Sequence, residues 1–168
     1  TGGQANGNTG NISITADGRY VAFSSTASNL VSGDTNGVED VCVYDRVAGT
    51  TTRVSVAAGG TQANAAGTRP SISADGRYVA FVSAATNLVP GDGDGWSDIF
   101  VHDRQTATTT RISLASDGSY ANGYSSWPAI SGDGRFVAFH SWASNLVAGD
   151  TNGLGDIFVH DRQAGTTE

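Results

Sequence analysis

The chain has 168 residues, 38% of them hydrophobic, with 23 glycines and a net charge of −7 that no lysine offsets. That charge argues against nucleic acid or an anionic membrane as partner, because both demand basic patches. A single cysteine, Cys42, rules out an internal disulfide, and no apolar run approaches the roughly 20 residues that span a bilayer.

Glycine-rich composition with few long apolar runs fits many short strands joined by tight turns. The sequence starts at Thr1, not Met, from which we expect a processed or excised product, and with it export. Laid over itself, the chain repeats every 58 residues: Asp17-Gly18-Arg19 returns as Asp75-Gly76-Arg77 and as Asp133-Gly134-Arg135. Asn29-Leu30-Val31 and Asp45-Arg46 recur with the same spacing. Three copies of one supersecondary unit are therefore expected, over about 1–53, 54–111 and 112–168, in one repeat domain, each copy burying its face on a neighbour.

Within the second unit a first strand ends at Ile72 and Ser73 and meets Asp75-Gly76. That dipeptide predicts a tight hairpin with positive φ at both residues. A second strand, Arg77 to Val82, alternates Tyr78 and Ala80 with Val79 and Phe81. A long loop, Ala84 to Ser97, leads to a third strand over Asp98 to Asp103 and a fourth over Thr109 to Leu114. The fold class is all-β: three four-stranded antiparallel repeats of 58 residues, read as β-propeller blades in preference to a β-trefoil, whose units are shorter.

"PSISADGRYVAF" (Pro70 to Phe81) followed by "DIFVHDR" (Asp98 to Arg104) resembles the WD40-like repeat of the TolB-type propeller family, over essentially the whole chain. The loop carrying "NLVPGDGDG" (Asn87 to Gly95) is a departure from that pattern. Glu168 falls where the fourth strand of the last unit should begin, and no matching strand stands at the other end. Open blade edges of this kind are templates for pairing. We expect self-association, for example two copies in a ring of six blades, or membership of a longer propeller.

Chemistry is most concentrated in the acidic loops. Asp34, Asn36 and Asp40 recur as Asp92, Asp94 and Asp98 and as Asp150, Asn152 and Asp156, each set bent by an intervening glycine. Oxygens at alternate positions of a glycine-bent loop suit calcium, a hard cation that takes about six to eight of them. The same residues also form turns that cap their own backbone amides. Calcium is the expected cofactor.

His102 and His160 share one repeat position, where the first unit has Tyr44, and are expected to be packing residues. His140 aligns with Val82 and Ser24, and Cys42 with Phe100 and Phe158, which marks the cysteine as core filler. The Asp-Arg pairs at 45–46, 103–104 and 161–162 are expected to combine a turn-capping aspartate with a solvated or blade-bridging arginine. Trp96, Trp127 and Trp142 align with Val38, Arg69 and Ala84, so no aromatic platform repeats. No catalytic set emerges: there is no G-x-S-x-G elbow and no repeated histidine partner. The sequence thus reads as a secreted, non-enzymatic interaction or self-assembly scaffold with calcium-binding loops and a protein or glycan ligand. The alternatives are a lectin-like carbohydrate-binding module and part of a propeller hydrolase or lyase.

Overall fold

The computed structural model describes residues 4–168, and every regular element among them is a β-strand. Blade 1 comprises β1 (Thr9–Ile14), β2 (Tyr20–Ser25), β3 (Asp40–Asp45) and β4 (Thr50–Arg53). Blade 2 comprises β5 (Gly67–Ile72), β6 (Tyr78–Ser83), β7 (Asp98–Asp103) and β8 (Thr108–Arg111). Blade 3 comprises β9 (Ser125–Ile130), β10 (Phe136–Ser141), β11 (Asp156–Asp161) and β12 (Thr166–Thr167). Each is an antiparallel meander with strands in sequence order. Among the described residues no helix is long and apolar enough to cross a membrane.

The strand alternation sends each blade's side chains to two neighbours. Val79, Phe81 and Phe100 join Ala22, Val41, Val43 and Val54 of blade 1 in one core cluster. Ala80, Val82, Ile99 and Val101 join Val137, Phe139 and Phe158 of blade 3 in another. All six residues of β7 are buried, so the central blade is covered on both faces. First strands meet side by side: the Ile72 N–H donates to Ser13 Oγ at 3.3 Å and the Ile130 N–H to Ser71 Oγ at 3.0 Å.

Three local expectations are corrected. Only Gly76 of the Asp75-Gly76 pair has positive φ, at 72°. The chain turns over four residues, with the Gly76 N–H on the Ser73 carbonyl at 2.9 Å, while Asp75 Oδ1 accepts from the Ser73 hydroxyl and the Arg77 N–H. Aspartate here caps the turn through its side chain, so its own backbone need not be left-handed. The fourth strand of blade 2 is Thr108–Arg111, ending before Leu114. In blade 3 a fourth strand does begin, with Thr166 and Thr167 paired to Asp161 and His160.

Candidate functional site

The second acidic loop gathers as the spacing requires: carboxylate oxygens of Asp92, Asp94 and Asp98 lie within 4.8 Å of one another. Gly95, at φ 78°, makes the bend, and the Trp96 N–H closes a turn on Asp94 Oδ1 at 3.0 Å. Asp98 opens β7 and is fully buried. What sits among these oxygens is Arg111, the last residue of β8. Its guanidinium lies 3.2 Å from Asp92, 3.1 Å from Asp94 and 2.6 Å from Asp98, with its side chain only 2% exposed. Tyr120 covers it, the guanidinium carbon being 4.1 Å from the ring centre.

Blade 1 repeats the arrangement more loosely. Arg53 approaches Asp34 at 3.5 Å and Asp40 at 3.2 Å, and the Asn36 amide donates to Asp40 at 3.2 Å. Gln62, the counterpart of Tyr120, accepts the N–H groups of Thr35 and Asn36 at 3.1 Å each. In blade 3 the Asn152 amide donates to Asp156 at 2.9 Å, and Asp150 begins the loop. The second triplet is thus fully gathered, the first is linked through Arg53 and Asn36, and in the third Asn152 and Asp156 are joined directly.

Burial pushes the Asp98 carboxyl up to about 7, against the Ser113 hydroxyl and the Arg111 charge that pull it down. Three carboxylates share one guanidinium, and Asp98 Oδ2 has no hydrogen-bond partner, so burial outweighs the arginine's pull. Asp40 and Asp92 are raised by burial in the same way. Calcium at these oxygens would have to displace an arginine, which stays charged at every accessible pH. Sequence reasoning passed over this residue. The signal was present, since Thr-Thr-Thr-Arg recurs at Arg53 and Arg111, but only the pairing of Phe100 with Arg111 carries the arginine back to the loop.

Two histidines, His102 and His160, take the packing positions expected of them. His102 and His160 are buried, each with Nδ1 2.9 Å from a threonine hydroxyl, Thr109 and Thr167. Those hydroxyls donate to the carbonyls of Val56 and Leu114, so Nδ1 is the donating nitrogen. Burial pulls His102 down to about 4, away from the range of a general base at neutral pH. Ser126 Oγ and His140 Nδ1 stand 3.5 Å apart, with no carboxylate hydrogen-bonded to His140 among the described residues. Cys42 is buried, and burial pushes its thiol up to about 12.

In the repeated Asp-Arg pairs the aspartate is held within its own blade, and the arginines of the second and third pairs reach the preceding blade. Arg77 grips Asp103 through two bonds, 2.9 and 2.7 Å, and Arg19 grips Asp45 likewise. That grip, with backbone amides, holds Asp103 well below the usual carboxylate range and Asp45 near 2. Arg104 donates to the Gly76 carbonyl at 2.6 Å and reaches across to stack on Tyr20 of blade 1, 4.7 Å from the ring centre. Arg162 repeats this on Tyr78 at 4.2 Å.

Strand order, blade packing and the repeated inter-blade contacts together define three consecutive blades of a β-propeller fold. The solved structures it resembles carry that class to particular proteins. TolB from Acinetobacter baumannii superposes with a TM-score of 0.57 at 18% identity, over 96% of this chain and 32% of that one. A putative TolB from Agrobacterium tumefaciens gives 0.57 at 19%, over 96% and 48%. The β-propeller domain of the Trilobed protease from Pyrococcus furiosus gives 0.58 at 14%, over 96% and 41%. The chain therefore spans less than half the length of each of these proteins, and at such identity the likeness shows the fold. No protein-family model matches the sequence, and no curated relative does.

Proposed function

We propose that the chain is a secreted, non-enzymatic β-propeller interaction module that builds a larger ring by packing its two open blade faces against those of a second copy. One observation carries this reading. Ile157 of blade 3 is 69% exposed, whereas its repeat counterparts, Val41 and Ile99, are fully buried against the next blade. At the other end Ile14 is 58% exposed, against 8% for Ile72. A face that wants a following blade and a face that wants a preceding one make a head-to-tail pair, which closes into a ring when the rotation allows. The arginine ladder supports the same join. Phe136 occupies the place of Tyr20 and Tyr78 and carries only its own Arg135, while Arg46 occupies the place of Arg104 and Arg162 and is free of an aromatic partner among the described residues.

In this reading Arg53 and Arg111 brace the first two acidic loops in the place expected for calcium, while the third, with Asp150, Asn152 and Asp156, has no arginine on it among the described residues. The self-assembly is tested by light scattering on the wild-type chain and on Ile157→Lys, whose exposed site leaves the blades intact. A dimer or larger particle that becomes monomeric in the variant supports the join. A wild-type monomer at every concentration, or a particle indifferent to the lysine, sinks it.

A further inference from the structure

Eight of the nine arginines have structural work, in three repeated roles. Arg19, Arg77 and Arg135 pair with aspartates; Arg46, Arg104 and Arg162 donate to glycine carbonyls; Arg53 and Arg111 hold the acidic loops. Arg69 is the ninth. Although half-buried, it makes no ion pair and no side-chain hydrogen bond among the described residues. Its guanidinium carbon lies 3.8 Å from the ring centre of Trp127, and that tryptophan is 64% exposed.

Both residues stand on strained backbone. Arg69 has φ 52° and Trp127 φ 55°, with Asn11 at φ 44° as the third member, each 58 residues from the next. All three lie where the first strand of a blade bulges: the pairing register slips between Gly10 and Ile12, between Thr68 and Ser71, and where β9 meets Ala138 and His140. Bulges re-aim side chains, and left-handed non-glycine residues gather at ligand sites. The first strands are neighbours, so the bulges of β5 and β9 bring Arg69 and Trp127 into contact. The backbone device is repeated while its side chains differ, Asn, Arg and Trp, unlike the arginines that repeat with their partners. The Asn11 amide donates to Ser24 Oγ at 3.2 Å within its own blade.

We propose that Arg69 and Trp127 form a binding site for a carboxylated sugar of the uronate class. The guanidinium, held by no ion pair, swings off the indole to take the carboxylate through paired N–H···O bonds, and the ring face it leaves takes the apolar C–H face of the pyranose ring. In a chain of net charge −7, an arginine without a carboxylate partner is where an anion is drawn. A uronate holds its carboxylate in fixed relation to a flat apolar face, which suits a cation and an aromatic ring in contact. An acidic peptide carries its carboxylates on flexible stems and has no such face.

The test is titration of the whole chain with galacturonate and with galactose, followed by NMR of the tryptophan indole N–H signals. The Trp127 signal, assigned with Trp127→Phe, is expected to shift with galacturonate. Galactose should bind roughly tenfold more weakly, the loss that follows from removing a charged hydrogen-bond partner. Arg69→Gln should remove the difference between the two sugars, and Arg69→Lys, which keeps the charge and loses the fork, should recover only part of it. Equal binding of both sugars, shifts confined to Trp96 or Trp142, or a glutamate-rich peptide that binds at Trp127 more tightly than galacturonate would each overturn the assignment. So would no response to galacturonate at all. None of these outcomes depends on whether copies of the chain assemble.

Discussion

Arg111 compensates three aspartates at once, two of them buried, and so holds a loop that would otherwise repel itself. Arg111→Gln should leave buried carboxylates unpaired at a cost of about 3–5 kcal/mol. For a chain of this size that lowers the melting temperature by roughly 10 °C, measured by calorimetry. The same scan distinguishes arginine from metal. Added calcium should raise the melting temperature of Arg111→Gln by more than that of the wild type, because the variant frees the oxygens of Asp92, Asp94 and Asp98; an equal rise would count for calcium at the second loop of the wild type instead. His102 supplies a pH signature. Its folded pKa of about 4 lies below the unfolded 6.5, so the unfolded state takes the proton first and stability falls as pH drops through that window. The loss is on the order of 3 kcal/mol. Asp98 works in the opposite sense, its raised folded pKa adding stability as pH falls below about 7. Chemical denaturation of wild type and His102→Gln at several pH values separates the two: wild type should lose stability relative to the variant between pH 6.5 and 4.

Each turn between the first and second strands places a glycine where φ must be positive, but the glycines differ in their surroundings. Gly18 has φ 69°, and a Cβ there would meet only the Arg46 side chain at 3.3 Å. Gly76 has φ 72°, and a Cβ there would overlap the ring of Tyr20 from the preceding blade. Gly18→Ala should cost about 1–2 kcal/mol, the penalty of left-handed backbone. Gly76→Ala adds a clash across the blade junction, so urea unfolding should show a clearly larger loss. Equal losses would mean that the Tyr20 contact contributes nothing. The Arg104 stack on Tyr20 belongs to the same junction, which explains why Asp-Gly-Arg and Asp-Arg recur together: one supplies the socket and the other the bridge.

Blade 2 has a neighbour on each side, whereas blades 1 and 3 each keep one open face. Cooperative stability follows buried apolar contact, so the slowest amide exchange should lie in β6 and β7, whose core residues Val79, Phe81, Ile99 and Phe100 are fully buried. Exchange in β2 and β10 should be faster in the monomer and slow on assembly, since a second copy would cover blades 1 and 3. Slowest exchange in β2 or β10 of the monomer would contradict blade-against-blade packing as the source of stability.

The 58-residue repeat, the four-stranded unit, the bounds Asp98–Asp103 of the third strand and the burial of Cys42 were all legible in the sequence, because each rests on local periodicity or on comparing one copy with the next. The gathering of Asp92, Asp94 and Asp98 was legible for the same reason. Their neutralisation by Arg111 was not, because strand pairing brings that residue to the loop. The turn at Asp75-Gly76 was placed correctly and its backbone misjudged, since a side-chain cap and a left-handed backbone are written with the same aspartate. Which repeated apolar positions face solvent, Ile14 and Ile157 above all, and which arginine lacks a partner, Arg69, were decided only by tertiary structure. Burial and charge compensation belong to pairs of residues from different strands and blades, and one-dimensional spacing does not encode those pairs.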